Sequence, residues 1–470
     1  MIRILLSLSF LYFAAMGYSD DAAAQPAAAP TADYAIVVSP STAAAQGWSE
    51  VVATLRNKHD AVVLEANSLL EAGPALRQIF PRYVCFVATP DETTPQFVAD
   101  AHRLTRRFDD DSYTDCLWGI VTGYDAANAL MIARDREPLV VHKVASGTEV
   151  ALDRCEEGVW YCELQQGRMV RKRSGGEAVQ ERGPDDTTVA LVKSLNDERA
   201  DLFITSGHAT ERDWQIGFRY RNGSFICRDG RIIGRDTRGV ETVVDSTNPK
   251  VYLPIGNCLM GHIDSRDAMA AAFMNSAGVR QMIGYTVPTW YGYAGWGMLD
   301  YFVEQPGRYT LAEAFFSNQQ ALLHKLETEH PELARVDVPP GQTKGGYSDA
   351  GGLLHDRDVL AFYGDPAWEA RMAKGPLNFT QELTRDGDVF TLTVTPQVGK
   401  RSFAPVNTNG SQRGGRPIIQ LLPRRVRDIK LIDGTEYNPI ITDDFILVPL
   451  PAADSDASIV IRFSALTMGE

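Results

Sequence analysis

Short β-branched runs recur along this chain with helical stretches between them, and that alternation restricts the fold more than any other feature. Residues 34–39, 61–65, 83–88, 117–122 and 139–144 are apolar runs of strand length, separated by helical stretches near 43–58, 95–108 and 125–134. Within 95–108, Phe97, Val98, Ala101 and Leu104 share one helical face. Apolar strands alternating with helices predict a parallel sheet covered on both faces.

The rhythm breaks at 155–183, which reads as a hairpin followed by a polar surface loop over 172–184. A second α/β unit follows, with helices over 186–196, 268–276 and 311–327 and strands over 201–205, 251–255 and 280–285. Asn222-Gly223 and Asp229-Gly230 mark tight turns between short β segments. From residue 376 the texture changes. Residues 377–383, 389–395, 427–432, 445–450 and 458–463 are short alternating strands parted by polar turns, the pattern of a small β-sandwich.

The start of the chain bears on the compartment. A basic Met1–Arg3 start precedes an apolar run over 4–16, too short to cross a bilayer, which takes about 20 residues. Ala22, Ala23 and Ala24 then offer small residues for signal-peptide cleavage, so residues 1–24 read as a signal peptide and the mature protein as exported, periplasmic or secreted, without a stable membrane anchor. With 46 basic against 60 acidic residues the net charge is −14, and no basic cluster exceeds Arg171-Lys172-Arg173, which excludes a nucleic-acid partner.

Six cysteines remain: Cys85, Cys116, Cys155, Cys162, Cys227 and Cys258. Six in a chain of 470 residues do not make a disulfide scaffold, and no C-x-x-C pair exists for a zinc ribbon or a thioredoxin-type site. Cys155 and Cys162, at the base of the expected hairpin, are the disulfide candidates.

Two strand ends carry the chemistry. Leu202-Phe203-Ile204-Thr205-Ser206-Gly207-His208 is an apolar strand ending in a small turn and an imidazole; Val251-Tyr252-Leu253-Pro254-Ile255-Gly256-Asn257-Cys258 ends the same way in a thiol. In an open α/β sheet ligands bind beyond the carboxyl ends of the strands. If the two strands are neighbours, His208 and Cys258 emerge side by side as a candidate dyad, the imidazole able to take the thiol proton and return it to a leaving amine. Cys258 and His262, with His208, could also supply three zinc ligands, but no fourth is evident. No G-x-S-x-G or phosphate-loop motif is present, and the glycine-rich stretch 292–297 reads as a loop near the same edge.

Residues 204–214 (Ile-Thr-Ser-Gly-His-Ala-Thr-Glu-Arg-Asp-Trp) resemble the catalytic-histidine block of gingipain-type cysteine peptidases, in the caspase–gingipain clan. Residues 254–261 resemble that family's cysteine block, and 267–286 resemble the helix and strand that follow it. Phe362-Tyr363-Gly364-Asp365-Pro366 resembles its Gly-Asp-Pro signature. The likeness extends in order and arrangement over roughly 33–470, but only these blocks are specific.

The resemblance implies a caspase-hemoglobinase-like α/β sandwich of two parallel-sheet subdomains, 33–183 and a catalytic 184–375, followed by an Ig-like β-sandwich over 376–470. It implies a cysteine endopeptidase acting on protein or peptide substrates, with Cys258 as nucleophile and His208 as general acid/base. The backbone N–H groups of Ala209 and Cys258 would form the oxyanion hole, and Trp290 would flank the substrate pocket. It implies a basic residue before the cut, and no cofactor for catalysis beyond structural calcium, for which Asp109, Asp110 and Asp111 are the candidates. Two positions depart from the family pattern: Ala209 stands where it has Gly, and Asn257 where it often has Ala. A methyl at Ala209 is strain-free only at negative φ. The rival expectation is a catalytically silent relative that keeps the fold and binds peptides or a partner.

Overall fold

The computed structural model describes residues 33–342, 344 and 346–468; the expected signal peptide lies outside them. Its centre is one twelve-stranded sheet. Across the sheet the order is Val62–Glu65, Tyr34–Val38, Tyr83–Val87, Leu117–Val121, Leu360–Tyr363, Val279–Tyr285, Lys250–Pro254, Leu202–Thr205, Lys143–Ser146, Glu157–Tyr161, Arg168–Lys172 and Ala178–Arg182. Neighbours are parallel except where Leu360–Tyr363 meets Val279–Tyr285 and in the last two pairings, which are antiparallel.

The unbroken apolar runs follow from burial on both faces. Tyr34, Ile36, Val38, Cys85, Val87 and Val121 face helices Trp48–His59 and Ala126–Arg134, packing on Trp48, Val51, Leu55 and Ala129. The intervening residues Ala35, Val37, Val84, Phe86, Trp118 and Ile120 face the other way, in a core shared with Val98, Ala101 and Leu104 of helix Pro95–Leu104 and Phe315 of helix Leu311–Glu329. That long helix starts at a capping box, in which the Thr310 hydroxyl accepts from the Glu313 N–H and the Glu313 carboxylate accepts from the Thr310 N–H.

After residue 376 come two antiparallel sheets. Phe379–Asp386, Val389–Pro396, Ile459–Thr467 and Val426–Asp433 form one; Ile418–Leu421, Phe445–Val448 and Ile440–Ile441 form the other. Phe390, Leu392, Ile461 and Phe463 of the first share a core with Ile418, Ile446 and Val448 of the second. The protein is thus mixed α/β, a large mostly parallel sheet followed by a β-sandwich.

Three local expectations are corrected. The polar stretch read as a loop over 172–184 contains an edge strand, Ala178–Arg182, paired to Arg168–Lys172. Cys155 and Cys162 flank one strand, Glu157–Tyr161, rather than the two arms of a hairpin. At about 3.3 Å per residue their Cα atoms lie far beyond the reach of a disulfide, and both thiols are free. The glycine-rich stretch read as a loop is a buried helix, Tyr293–Met298, in which small residues let neighbouring segments pack closely.

Candidate functional site

Leu202–Thr205 and Lys250–Pro254 are parallel neighbours, with Leu202 opposite Val251 and Thr205 opposite Pro254. His208 lies three residues beyond the first strand and Cys258 four beyond the second, so both leave the sheet at one carboxyl edge. Ile255 N–H donates to the Thr205 carbonyl at 3.0 Å and carries the pairing one step further. Gly207 then turns the chain at φ +97°, a conformation that favours glycine.

The two turns are tied by Asn257. Its side chain is fully buried; Oδ1 accepts from the Thr205 hydroxyl at 2.6 Å and Nδ2 donates to the Gly207 carbonyl at 2.9 Å. Asn257 is therefore a cross-brace between the histidine and cysteine turns.

Glu163 supports the histidine turn from the other side. Its buried carboxylate accepts from the Thr148 hydroxyl at 2.9 Å and from the Ser206 hydroxyl, and burial pushes its carboxyl above the ordinary glutamate value. Its backbone carbonyl accepts from the Phe218 N–H at 2.6 Å, and the Phe218 ring lies 4.8 Å from the exposed His208 ring. Trp214 Nε1 donates to the Ser206 carbonyl at 2.8 Å.

Ala209 pairs with Trp214 across a narrow antiparallel bridge. The bonds that define it run from Gln215 N–H to the His208 carbonyl and from Thr210 N–H to the Asp213 carbonyl, so Ala209 occupies a non-hydrogen-bonded position and its N–H points away from Trp214. Ala209 has negative φ, and its methyl is accommodated without strain.

Cys258 is partly buried. Its Sγ accepts from the Thr289 N–H at 3.3 Å and lies 3.4 Å from the Thr289 carbonyl, to which the thiol can donate. Among the described residues no hydrogen bond joins it to His208. Leu259 follows in the left-handed region at φ +57°. Gly261 N–H donates to the Tyr285 carbonyl, and a Cβ on Gly261 would lie 2.2 Å from the Gly284 oxygen, so only glycine lets this turn rest on strand Val279–Tyr285.

The segment from Thr286 to Trp290 is pinned throughout. His262 Nδ1 meets the Thr286 carbonyl at 2.8 Å, His355 Nε2 meets the Pro288 carbonyl at 3.1 Å, and Thr289 holds the thiol. His262, weighed in the sequence as a zinc ligand, therefore has one ring nitrogen on backbone. Trp290, the expected pocket tryptophan, follows Thr289 directly; its ring is 4.9 Å from that of Tyr347 and 6.0 Å from that of His355.

Of the calcium candidates, Asp109 and Asp111 converge with Asp115, their carboxylate oxygens within 4.8 Å of one another, while Asp110 lies outside the group. Burial pushes Asp111 up to about 6, and burial with Asp109 nearby pushes Asp115 up to about 9. An all-carboxylate set is the chemistry calcium takes. Asp115 escaped the sequence reading because it stands four residues from the Asp run. Glu163, Thr289 and His355 escaped it because nothing local marks them; only the fold brings them to the site.

No family model matches the chain, and no curated protein matches it either. A solved structure described as "Structure of Protease" is similar over 77% of this chain and 84% of that one, at 8% sequence identity and a TM-score of 0.39. A likeness of that size defines neither fold family nor activity.

Proposed function

We propose that this chain is an exported cysteine endopeptidase of gingipain type, built on the clan's sheet arrangement with an Ig-like sandwich behind it. One observation carries the reading: the strands leading to His208 and Cys258 are adjacent, parallel and in register, and Asn257 bonds their two turns together. The motif blocks over 204–214 and 254–286 assign the chemistry to that edge.

In this mechanism the Cys258 sulfur attacks the scissile carbonyl carbon while His208 takes the thiol proton. The tetrahedral oxyanion is held by the N–H groups of Ala209 and Cys258, each such donor being worth about 2.7–4 kcal/mol in the transition state. Collapse breaks the C–N bond, His208 protonates the leaving amine, and a thioester remains. Water, deprotonated by His208, then hydrolyses the thioester and frees Cys258. Structural calcium, if the family's requirement extends here, would be held by Asp109, Asp111 and Asp115.

Cys258→Ala should abolish hydrolysis of denatured casein while Cys155→Ala leaves it intact; full activity in Cys258→Ala would end this mechanism. The second reading, a silent peptide- or partner-binding relative, draws on the thiol being bonded to Thr289 rather than to His208. It predicts peptide binding with no turnover in the unaltered protein.

A further inference from the structure

Across the sheet the strand leading to Cys258, Lys250–Pro254, is followed by the strand leading to His208, Leu202–Thr205, and then by Lys143–Ser146 and Glu157–Tyr161. Glu163 stands two residues beyond the last of these, and its carbonyl accepts from the N–H groups of Phe218 at 2.6 Å and of Arg219 at 3.2 Å. Phe218 is thereby held on the side of the histidine strand away from the thiol. Its loop is tied at further points: Ile216 N–H donates to the Gly223 carbonyl at 3.1 Å, Gln215 Nε2 to the Gly217 carbonyl at 3.2 Å and the Tyr220 hydroxyl to the Cys162 carbonyl at 2.8 Å. A side chain on so bonded a loop keeps its place.

The ring of Phe218 is 4.8 Å from that of His208, yet the residue is 44% exposed, and His208 is exposed beside it. A Cβ on Gly207 would lie 3.9 Å from Phe218 Cδ2, so the ring also rests over the turn that carries the imidazole. Imidazole and phenyl ring therefore form one open surface, and along the edge the order is thiol, imidazole, phenyl. A single exposed apolar side chain is ordinary on a protein surface. This one is fixed against the proposed general acid and still leaves much of its ring in water.

In the peptidase reading above, on which this inference rests, the acyl half of the substrate stays on Cys258 while His208 protonates the amine half. The leaving nitrogen then sits about 3 Å from the imidazole. The side chain of the residue that owns that nitrogen begins two bonds further on, at about 1.5 Å per bond. It is brought to the ring that borders the imidazole. We infer that Phe218 is a specificity-determining residue for the position after the cut, where it favours a large apolar side chain: leucine, methionine, phenylalanine or tyrosine. Such a side chain covers the open ring and removes apolar surface of both partners from water. Glycine or serine there leaves the ring as open as before.

The test is digestion of a mixture of denatured proteins, with the new N-termini identified by mass spectrometry and those found with Cys258→Ala subtracted. Each new N-terminus is a residue that followed a cut, so the readout needs no knowledge of the residue before it. Leucine, methionine, phenylalanine and tyrosine together should be enriched about fivefold over their abundance in the mixture. Phe218→Ser should bring that enrichment down to about one, while Phe218→Leu, which keeps an apolar surface, should retain most of it. Enrichment compares sites within one digest, so a general loss of activity cancels. If only the imidazole's orientation depends on Phe218, Phe218→Ser slows every cut and leaves the enrichment in place, which overturns the subsite. Absence of the enrichment from the unaltered chain, or enrichment of aspartate and glutamate beside exposed Arg219 instead, also overturns it and leaves the peptidase intact. No new N-termini beyond those with Cys258→Ala overturns the peptidase reading and the subsite with it.

Discussion

The Asn257 side-chain amide donates to the Gly207 carbonyl at 2.9 Å, so the residue before the thiol is bonded to the residue before the imidazole. With the Thr205 hydroxyl on its other end, one buried side chain spans two strand ends some fifty positions apart in sequence. A dyad works only when its members hold their separation to within a fraction of an ångström. Asn257 supplies that constraint where a smaller residue could not.

Asn257→Ala should therefore cost both stability and turnover. It removes the donor to the part-buried Gly207 carbonyl, at about 1–3 kcal/mol, while the Thr205 hydroxyl keeps its bond to the Tyr252 hydroxyl at 3.0 Å. A lowered Tm together with a fall in kcat of about tenfold or more is the expected outcome; unchanged kinetics would show that the brace does not set the dyad.

Glu163 makes the stability of the histidine turn depend on pH. Burial raises its folded value, so the native state favours the protonated form. Stability is fully present below the unfolded value, about 4.3, and is lost as pH rises from there through the folded value. Glu163→Gln cannot ionise. Its stability relative to the unaltered protein should improve as pH rises above about 4, as read from urea midpoints; a difference independent of pH would contradict this.

Asp365, in the Gly-Asp-Pro block, joins the end of the central strand Leu360–Tyr363 to helix Trp48–His59. Its carboxylate meets Lys58 at 2.9 Å and His59 at 2.7 Å and accepts from the Tyr34 hydroxyl at 2.9 Å. Against its burial, His59 and Lys58 hold it well below the usual carboxylate range. The associated stability is present above the unfolded value and lost as pH falls toward the folded one. Asp365→Asn should cost about 3–5 kcal/mol near neutral pH, and the deficit should shrink below about pH 4, where the carboxyl takes a proton in the unfolded chain while it is still ionised in the folded one.

The cysteines should all titrate as thiols. Because Cys155 and Cys162 sit at opposite ends of one strand, alkylation in denaturant should add six adducts with or without prior reduction. Four adducts before reduction would mean that an internal disulfide exists.

The sheet was legible wherever both its faces are buried, since runs such as Tyr34–Val38 and Leu202–Thr205 then lose their alternation and stand out as apolar blocks. It was illegible at the solvent-exposed edge, where Ala178–Arg182 carries Gln, Glu and Arg and imitates a loop. Strand Leu360–Tyr363 went unread, because nothing in four apolar residues says that they pair antiparallel to Val279–Tyr285 and parallel to Leu117–Val121. At the site, His208 and Cys258 stood out through the matched ends of their strands. Asn257 showed only as a departure from pattern, since a brace between distant turns leaves no local periodicity.

The dyad is tested by labelling the purified protein with peptidyl acyloxymethyl ketones that carry Arg, Lys, Asp, Asn, Gln or Leu next to the reactive group, followed by site mapping in the unaltered chain and in His208→Ala. Modification is expected at Cys258 alone, and it should be lost when His208 is removed while iodoacetamide still reaches the thiol. Modification at another cysteine, or labelling of Cys258 that persists at full rate without His208, would contradict it.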